Sequence, residues 1–405
     1  MDSGSVAWIL TSMAMVIFMT PGLALFYGGM VRSKNLLSML MMNIICMGVV
    51  SILWAVIGFS FAGGEGSFIG GFSNAFMSGV DDGESLLNFV FALSFAIITP
   101  ALISGAIADR MRFSAWLTFI SVWSVLVYSP VAHWVWGTGG WIGHGWLEEH
   151  FASLDFAGGT VVHVNAGAAA LVACIMLGSR RGWPKTPMPP HSLHLTILGA
   201  GILWFGWFGF NAGSALAADD NAILAAVNTQ LAAGAAMVGW LIVERVKTGH
   251  ATTLGAASGA VAGLVAITPG AAYVTGMMPI VIGLGAGALC FWAISLKHKL
   301  HFDDALDVVG VHLVGGLFGS LALGFVASNA AFTDHAEGLF FGGGFDLLIG
   351  QVISNGAAFI YSAGLTFVIL KVIDALVPGG IRASDDEELQ GLDLSYHAET
   401  AYDMN

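Results

Sequence analysis

Two histidines lie within long apolar stretches and are the residues there whose chemistry most needs an explanation. His163 is the one titratable side chain in FAGGTVVHVNAGAAALVACIML (156–177), and His312 lies in DVVGVHLVGGLFGS (307–320). A neutral imidazole offers a hydrogen-bond donor and an acceptor, and it titrates near physiological pH. Ionisable groups are costly inside a bilayer and usually mark a pathway or relay there. We therefore predict that both histidines line a pore, although a single buried histidine in a soluble protein is more often a core residue.

The composition predicts the elements that carry these histidines. The 405 residues are 57% hydrophobic and 10% charged, and apolar stretches of about 20 residues, long enough to cross a bilayer, recur along the chain. The 55 glycines suit closely packed membrane helices. The three cysteines all lie in apolar segments, and residues 1–5 lead straight into the first one. We expect an all-α membrane protein without a removable signal peptide, metal, cofactor or enzymatic activity.

The apolar stretches predict eleven transmembrane helices. Their approximate ranges are 6–31, 36–61, 86–107, 113–135, 158–178, 193–215, 222–243, 253–272, 277–296, 306–328 and 346–373. The first ten divide into two five-helix halves of opposite orientation, about 6–178 and 193–328, which is the inverted-repeat pattern of many transporters. Each half places its histidine at the start of its fifth helix. We expect a transmembrane domain over 1–376 and a tail over 377–405.

Charge predicts the orientation of these helices. All 13 lysines and arginines fall in connections or helix ends on one side of the predicted membrane or in the tail. Because positive residues collect on the cytoplasmic side, the N-terminus is expected outside and the C-terminal tail inside. The outer connections are acidic, which favours a cationic solute, although the absence of Lys and Arg from translocated loops explains much of this asymmetry.

Aromatic and polar residues near the outer face supply further candidates. In WFGWFGFNAGSA (204–215), Trp207, then Phe210 or Asn211, and then Ser214 recur at helical spacing. We expect Trp204 and Trp207 to pack helices. Trp136 ends the fourth helix on the same side as Ser214. A tryptophan there is typically an interfacial anchor, but a cation can also rest over its ring.

These motifs together resemble the Amt/Mep/Rh ammonium transporter family, on its Amt branch. The resemblance runs over essentially the whole chain and rests on these stretches: PGLALFYGGMVRSKN (21–35), FAIITPALISGAIADRMRFSA (95–115), AHWVWG (132–137), DFAGGTVVHVNAG (155–167), GWFGFNAGSA (206–215), SGAVAGLV (258–265), DDALDVVGVH (303–312) and GLDLSYHAETAY (391–402). It implies eleven helices with the N-terminus outside and the C-terminus inside, assembled as a homotrimer with one pore per subunit.

The resemblance also implies roles for individual residues. From outside to inside, these are ammonium recruitment by Trp136, Phe95 and Ser214, a gate of Phe95 and Phe210, a pore lined by His163 and His312, and supporting carboxylates at Asp155 and Asp307. Asp155 is equally well placed as a helix N-cap. One departure is Ala92, where the family often has glutamine.

These residues predict transport of NH4+/NH3 across the cell membrane, with methylammonium as an analogue. NH4+ would be recruited at the aromatic site and deprotonated, and ammonia would pass the two histidines. The proton would either return outside or follow a separate route along the histidines.

An alternative is an ammonium sensor with little net flux, although we expect too short a tail for a signalling domain. A bis-histidine haem protein is disfavoured because each half supplies a single histidine and there are no charged partners for the haem propionates. A PII-type signal protein is an expected partner at the cytoplasmic face.

Overall fold

The computed structural model describes residues 1–330, 332 and 335–402, so the last residues of the predicted tail lie outside it. In this part of the chain eleven helices are long and apolar enough to cross a membrane. They are α1 Ser3–Met30, α2 Ser33–Ala62, α3 Gly83–Ile107, α4 Phe113–Trp136, α5 Gly159–Leu177, α6 Leu193–Ala215, α7 Asp220–Thr248, α8 Thr253–Gly270, α9 Met278–Leu300, α10 Val309–Val326 and α11 Asp346–Leu376. Every predicted span is confirmed. The largest difference is at the end of α7, which runs to Thr248 rather than 243.

Polar caps begin several of these helices where the sequence leaves the apolar stretch. The side chain of Asp82 accepts two backbone N–H groups at the start of α3. Ser192 caps α6 and Thr252 caps α8 in the same way. Such residues satisfy N–H groups that have no partner inside the helix. They fix the helix starts independently of hydropathy.

The helix contacts show the pairing expected of two inverted halves. Within the first half α2 packs on α3 and α4, and within the second α7 packs on α8 and α9. Between the halves α1 packs on α6, and α5 packs on α10. These two contacts between the halves join corresponding helices, as a pseudo-twofold axis requires. The helix α11 stands outside both repeats and packs along α5 and α10.

The two histidine-bearing helices begin alike. Each opens with a π-helical turn, Gly159–Val164 in α5 and Val309–Leu313 in α10, and each turn contains its histidine. Turns of this kind are rare and concentrate at functional sites. Because the wider turn changes where the next side chains point, it sets the direction of each imidazole.

Glycines let α5 and α10 approach closely. Gly167 follows His163 by four residues, and Gly316 follows His312 by four. A Cβ added to Gly167 would lie 2.7 Å from the backbone of Leu313, and one added to Gly316 would lie 3.0 Å from Cβ of His163. The small residues after each histidine thus permit the contact between the helices.

We expect Gly167→Ala to destabilise the protein, because the new methyl group would meet backbone atoms that cannot rotate away. Overpacking of this kind costs about 1–3 kcal/mol. Thermal unfolding in detergent, followed by size-exclusion chromatography, measures the effect. Gly356→Ala is the matched control, since a Cβ there would meet nothing within 4 Å in the described residues. Equal melting temperatures for the two variants would contradict the proposed contact.

The C-terminal segment folds back onto the connections that carry the basic residues. It contains a short helix, α12 (Asp385–Gln390), and a π-helical turn, Asp393–His397. Lys34 Nζ donates to the carbonyl oxygen of Glu388 at 2.8 Å. The Asp393 carboxylate accepts the backbone N–H groups of Leu37 at 3.0 Å and Ser38 at 2.8 Å. The tail and these basic connections therefore lie on the same face of the helix bundle.

Asp393→Ala is expected to loosen the tail, because it removes the acceptor for two N–H groups at the start of α2. Loss of a capping side chain costs about 1 kcal/mol. Limited proteolysis in detergent should then cleave the tail several times faster than in the parent. Asp385→Ala, which changes a largely exposed side chain on α12, should leave the cleavage rate unchanged, and an equal rate in both variants would refute the capping role.

Candidate functional site

An open cavity of about 460 Å³ brings together the three residues predicted to recruit ammonium. Trp136, Phe95 and Ser214 all line it, and Ala92 lies in the same wall. The rings of Phe95 and Trp136 meet edge to face, with their centroids 6.0 Å apart. Ser214 Oγ donates to the carbonyl oxygen of Phe210 at 2.8 Å, so its remaining lone pairs are available to a ligand. We refer to this cavity as the vestibule.

Two phenyl rings close the inner end of the vestibule. The centroids of Phe95 and Phe210 are 4.3 Å apart with an angle of 34° between the planes, and both side chains are buried. Phe95 lines the vestibule, whereas Phe210 lines the next cavity inward. The phenyl pair therefore lies between the two cavities.

The two histidines contact each other beyond the phenyl pair. Nδ1 of His312 lies 3.2 Å from Nδ1 of His163, so one ring nitrogen donates and the other accepts. The two imidazoles are nearly parallel, with centroids 5.3 Å apart. Within the described residues, Nε2 of His163 is buried and has no hydrogen-bond partner. Both histidines line an apolar cavity of about 10 Å³, which holds about one water-sized molecule.

Trp207 also lines the cavity beside the two histidines, which the sequence interpretation missed. Its ring stacks on His163 with centroids 5.5 Å apart, so helix packing is an incomplete account of it. Trp207 Nε1 donates to Thr268 Oγ1 at 2.9 Å, and Thr268 Oγ1 donates to Asn211 Oδ1 at 3.2 Å. The spacing of Trp207 one turn before Phe210 was the available signal. This buried chain of hydrogen bonds fixes the Trp207 ring against the imidazole.

Asp155 holds the start of the π-helical turn in α5. Its carboxylate accepts the N–H groups of Gly158, Gly159, Thr160 and Val161 at 2.6–3.1 Å. Burial raises the pKa of Asp155 to about 6, and the four N–H groups act against that rise. The carboxyl group is therefore mostly ionised at neutral pH. The Asp155 carbonyl oxygen also accepts the indole N–H of Trp136 at 2.9 Å, which connects this cap to the vestibule.

Asp304 makes the equivalent cap in the other half, and the sequence interpretation overlooked it. Its carboxylate accepts the N–H groups of Val308 at 3.1 Å and Val309 at 2.8 Å. Asp304 precedes His312 by eight residues, as Asp155 precedes His163 by eight. That equal spacing was visible in the sequence and would have identified it.

Asp307 occupies a different environment from Asp155. It lies just before α10, with a left-handed φ of 65°, and its carboxylate accepts from Lys297 Nζ at 2.6 Å. Together with Ser258 and His312 it lines a small cavity of about 10 Å³. His312 lines this cavity and the one beside Phe210, so Asp307 lies on the inner side of the two histidines.

The cavities and their residues form one continuous arrangement. The vestibule, the phenyl pair, the two imidazoles and the Asp307 cavity follow one another through the centre of the bundle. In the described part of the chain, no group of three or more His, Cys, Asp or Glu side chains could hold a metal ion. The path is lined mainly by rings and apolar side chains, with a few polar atoms directed at it.

Comparison with known proteins places this arrangement in a family. Residues 7–402 match the family model described as Ammonium Transporter Family. The chain is 47% identical to an ammonium transporter of Mycobacterium tuberculosis, over all of this chain and 91% of that protein. It is 43% identical to ammonium transporter Amt1 of Archaeoglobus fulgidus, over 99% of this chain and 100% of that protein.

Solved structures agree with the sequence relatives. The crystal structure of Candida albicans Mep2 has a TM-score of 0.88 and 32% identity, covering 96% of this chain and 88% of that one. A structure titled Sensor Amt Protein has a TM-score of 0.87 and 29% identity, covering 97% of this chain and 98% of that one. The chain therefore belongs to the ammonium transporter family.

Proposed function

We propose that this protein transports ammonium across the cell membrane. The observation that carries the proposal is the sequence of sites through the bundle: an aromatic vestibule, a closed phenyl pair, and two imidazoles in contact within an apolar cavity. The family membership and the names of the relatives support the same substrate.

Recruitment would take place in the vestibule. NH4+ can rest over the face of Trp136 or Phe95, an interaction of about 1–2 kcal/mol when partly desolvated, while Ser214 Oγ accepts one of its N–H groups. The outer acidic residues would raise the local concentration of cations. Ala92 puts a methyl group where the family often has an amide, so this vestibule would hold its cation with fewer polar contacts.

Deprotonation would follow because the next cavity cannot hold a bare cation. A cavity of about 10 Å³ lined by apolar side chains has too few ligands to replace a hydration shell, and burying an unpaired charge is very costly. A metal cation has no way to lose its charge, whereas NH4+ can release a proton. Ammonia would then pass Phe95 and Phe210 and exchange hydrogen bonds with the imidazoles.

The proton has two possible routes. It could return to the outer solution, which would make transport electroneutral, or it could move along His163 and His312 separately from ammonia. The contact between the two Nδ1 atoms offers a path for the second route. The carboxylate of Asp307, which lies on the inner side of the pair and is in contact with Lys297, would then take up the proton at the exit.

Several properties of the assembly belong to the same proposal. The N-terminus lies outside and the tail inside, the active form is a homotrimer with one pore per subunit, and a PII-type signal protein docks on the cytoplasmic face. The positive-inside distribution supports the orientation, and the docking of the tail on the basic connections is consistent with it.

The test is ammonium flux into proteoliposomes recorded together with current. Uptake of labelled methylammonium with a proportional current would support electrogenic transport, and uptake without current would support the electroneutral route.

A second candidate, an ammonium sensor, is favoured by the similarity to the structure titled Sensor Amt Protein. Saturable ammonium binding with negligible uptake would support the sensor and overturn the transporter.

A further inference from the structure

The helix α11 carries a buried amide group that joins the two halves beside the histidines. Thr160 Oγ1 on α5 donates to Asn355 Oδ1 at 3.0 Å. Asn355 Nδ2 donates to Ser320 Oγ on α10 at 2.6 Å. The three side chains are 0–2% exposed. A single asparagine from outside the repeats therefore bridges the two helices that carry His163 and His312.

A glutamine one turn earlier on α11 extends this bridge. Gln351 Nε2 donates to Ser320 Oγ at 2.9 Å and to the carbonyl oxygen of Leu154 at 2.8 Å. Gln351 Oε1 accepts the N–H group of Leu154 at 2.9 Å. Leu154 directly precedes Asp155, which caps the π-helical turn of α5. Gln351 therefore holds Leu154, the neighbour of the capping residue Asp155, and Asn355 holds Thr160 in the π-helical turn.

The bridge lies next to the closest approach of the two helices. Thr160 is in the π-helical turn, three residues before His163. A Cβ on Gly316 would meet Cβ of His163 at 3.0 Å and the carbonyl oxygen of Gly159 at 3.2 Å. Movement of Ser320 relative to Thr160 would therefore move α10 against the turn that holds His163. The contact between the two Nδ1 atoms depends on that spacing.

Hydrogen bonds between polar side chains of membrane helices contribute only modestly to stability. We therefore look to the geometry of the site, rather than to stability, for the role of Asn355. We propose that Asn355 is a positioning residue for the two histidines: its side-chain amide, by joining Thr160 to Ser320, sets the separation of the imidazoles. This inference rests on the proposed transport function for its effect on selectivity. Its effect on the imidazole contact does not depend on transport.

The test compares variants that break the bridge with one that leaves it intact. Asn355→Leu removes both bonds at similar volume. Thr160→Val removes the bond to α5, and Ser320→Ala removes the bond to α10 together with the bond from Gln351. Ser362→Ala is the matched control, because Ser362 is a buried polar residue of α11 that, within the described residues, bonds to α5 alone, through the carbonyl oxygen of Asn165 at 2.8 Å. Two readouts are used: the ratio of ammonium to potassium flux, and the 15N chemical shifts of the imidazoles.

A displacement of reacting groups by about 1 Å can change a rate about 100-fold. We therefore expect Asn355→Leu to lower the ammonium-to-potassium ratio about tenfold and to shift the imidazole 15N signals. Thr160→Val and Ser320→Ala should each reproduce most of this loss, and combining them should add little, because either one breaks the bridge. Ser362→Ala should match the parent in both readouts.

The inference is overturned if Asn355→Leu keeps the parental flux ratio and imidazole signals, or if Ser362→Ala has the same effect. Should Asn355→Leu fail to assemble, Thr160→Val and Ser320→Ala decide the question by the same criteria. Absence of ammonium flux in the parent would contradict the proposed transport function. The 15N signals would still test the positioning role in that case.

Discussion

Replacing both His163 and His312 with alanine is expected to destroy the discrimination between ammonium and potassium. The two imidazoles supply polar atoms beside the narrow cavity beyond Phe210, and they are in contact with each other. Alanine at both positions leaves a wider space that admits water. A hydrated cavity lowers the barrier to a metal cation, since the cation then keeps part of its hydration shell.

The magnitude follows from the polar contacts that are lost. Ammonia in the cavity would lose the imidazole nitrogens as hydrogen-bond partners. A buried polar group left without a partner costs about 1–3 kcal/mol, and about 1.4 kcal/mol corresponds to a factor of ten. Selectivity for ammonium over potassium should therefore fall by about tenfold or more in the double variant. Flux of both ions into proteoliposomes measures the ratio directly.

The two single alanine variants provide a further test of this prediction. Either alanine substitution leaves the other Nδ1 without its partner, so each single variant should lose much of what the double variant loses. His194→Ala is the control, because His194 is an exposed residue at the start of α6. If the double variant kept the parental selectivity and ammonium flux, the paired-imidazole role would be wrong.

Much of the fold follows from the sequence because the bilayer imposes a simple rule. Each span must satisfy its own backbone and present apolar side chains over a fixed length. The end of α7 is the largest departure: ERVKT continues the helix beyond the apolar stretch to Thr248, where Gly249 ends it in a left-handed conformation. Hydropathy marks the membrane core, whereas caps and glycines decide where a helix stops.

The candidate site was predictable to a lesser extent. His163 and His312 stand out because a titratable residue in an apolar span is rare, and the structure brings them into contact. Trp207 is predicted to pack helices, and its spacing one turn before Phe210 is the one sign in the sequence that it shares the face of that phenylalanine. The hydrogen bonds of Asn355 were equally invisible, because they depend on how α11 packs against both repeats.

Asp155→Ala is expected to abolish transport and to destabilise the outer end of α5. The carboxylate is the acceptor for four backbone N–H groups in a buried site. Each N–H group without a partner costs about 1–3 kcal/mol, so the π-helical turn should rearrange rather than persist. His163 lies in that turn, and Trp136 is held by the Asp155 carbonyl oxygen. Both the imidazole contact and the vestibule would therefore change.

Asp155→Asn separates the shape of this cap from its charge. Asparagine keeps one acceptor oxygen at the same position but places an NH2 group against the N–H donors. We therefore expect the melting temperature of Asp155→Asn to lie between those of Asp155→Ala and the parent, with ammonium flux well below that of the parent. Flux and thermal unfolding should be measured on the same preparations. Asp82→Ala is the control, since Asp82 caps α3 through two exposed N–H bonds and its loss should cost about 1 kcal/mol without affecting transport. Parental flux in Asp155→Ala would show that the turn holding His163 does not need its carboxylate.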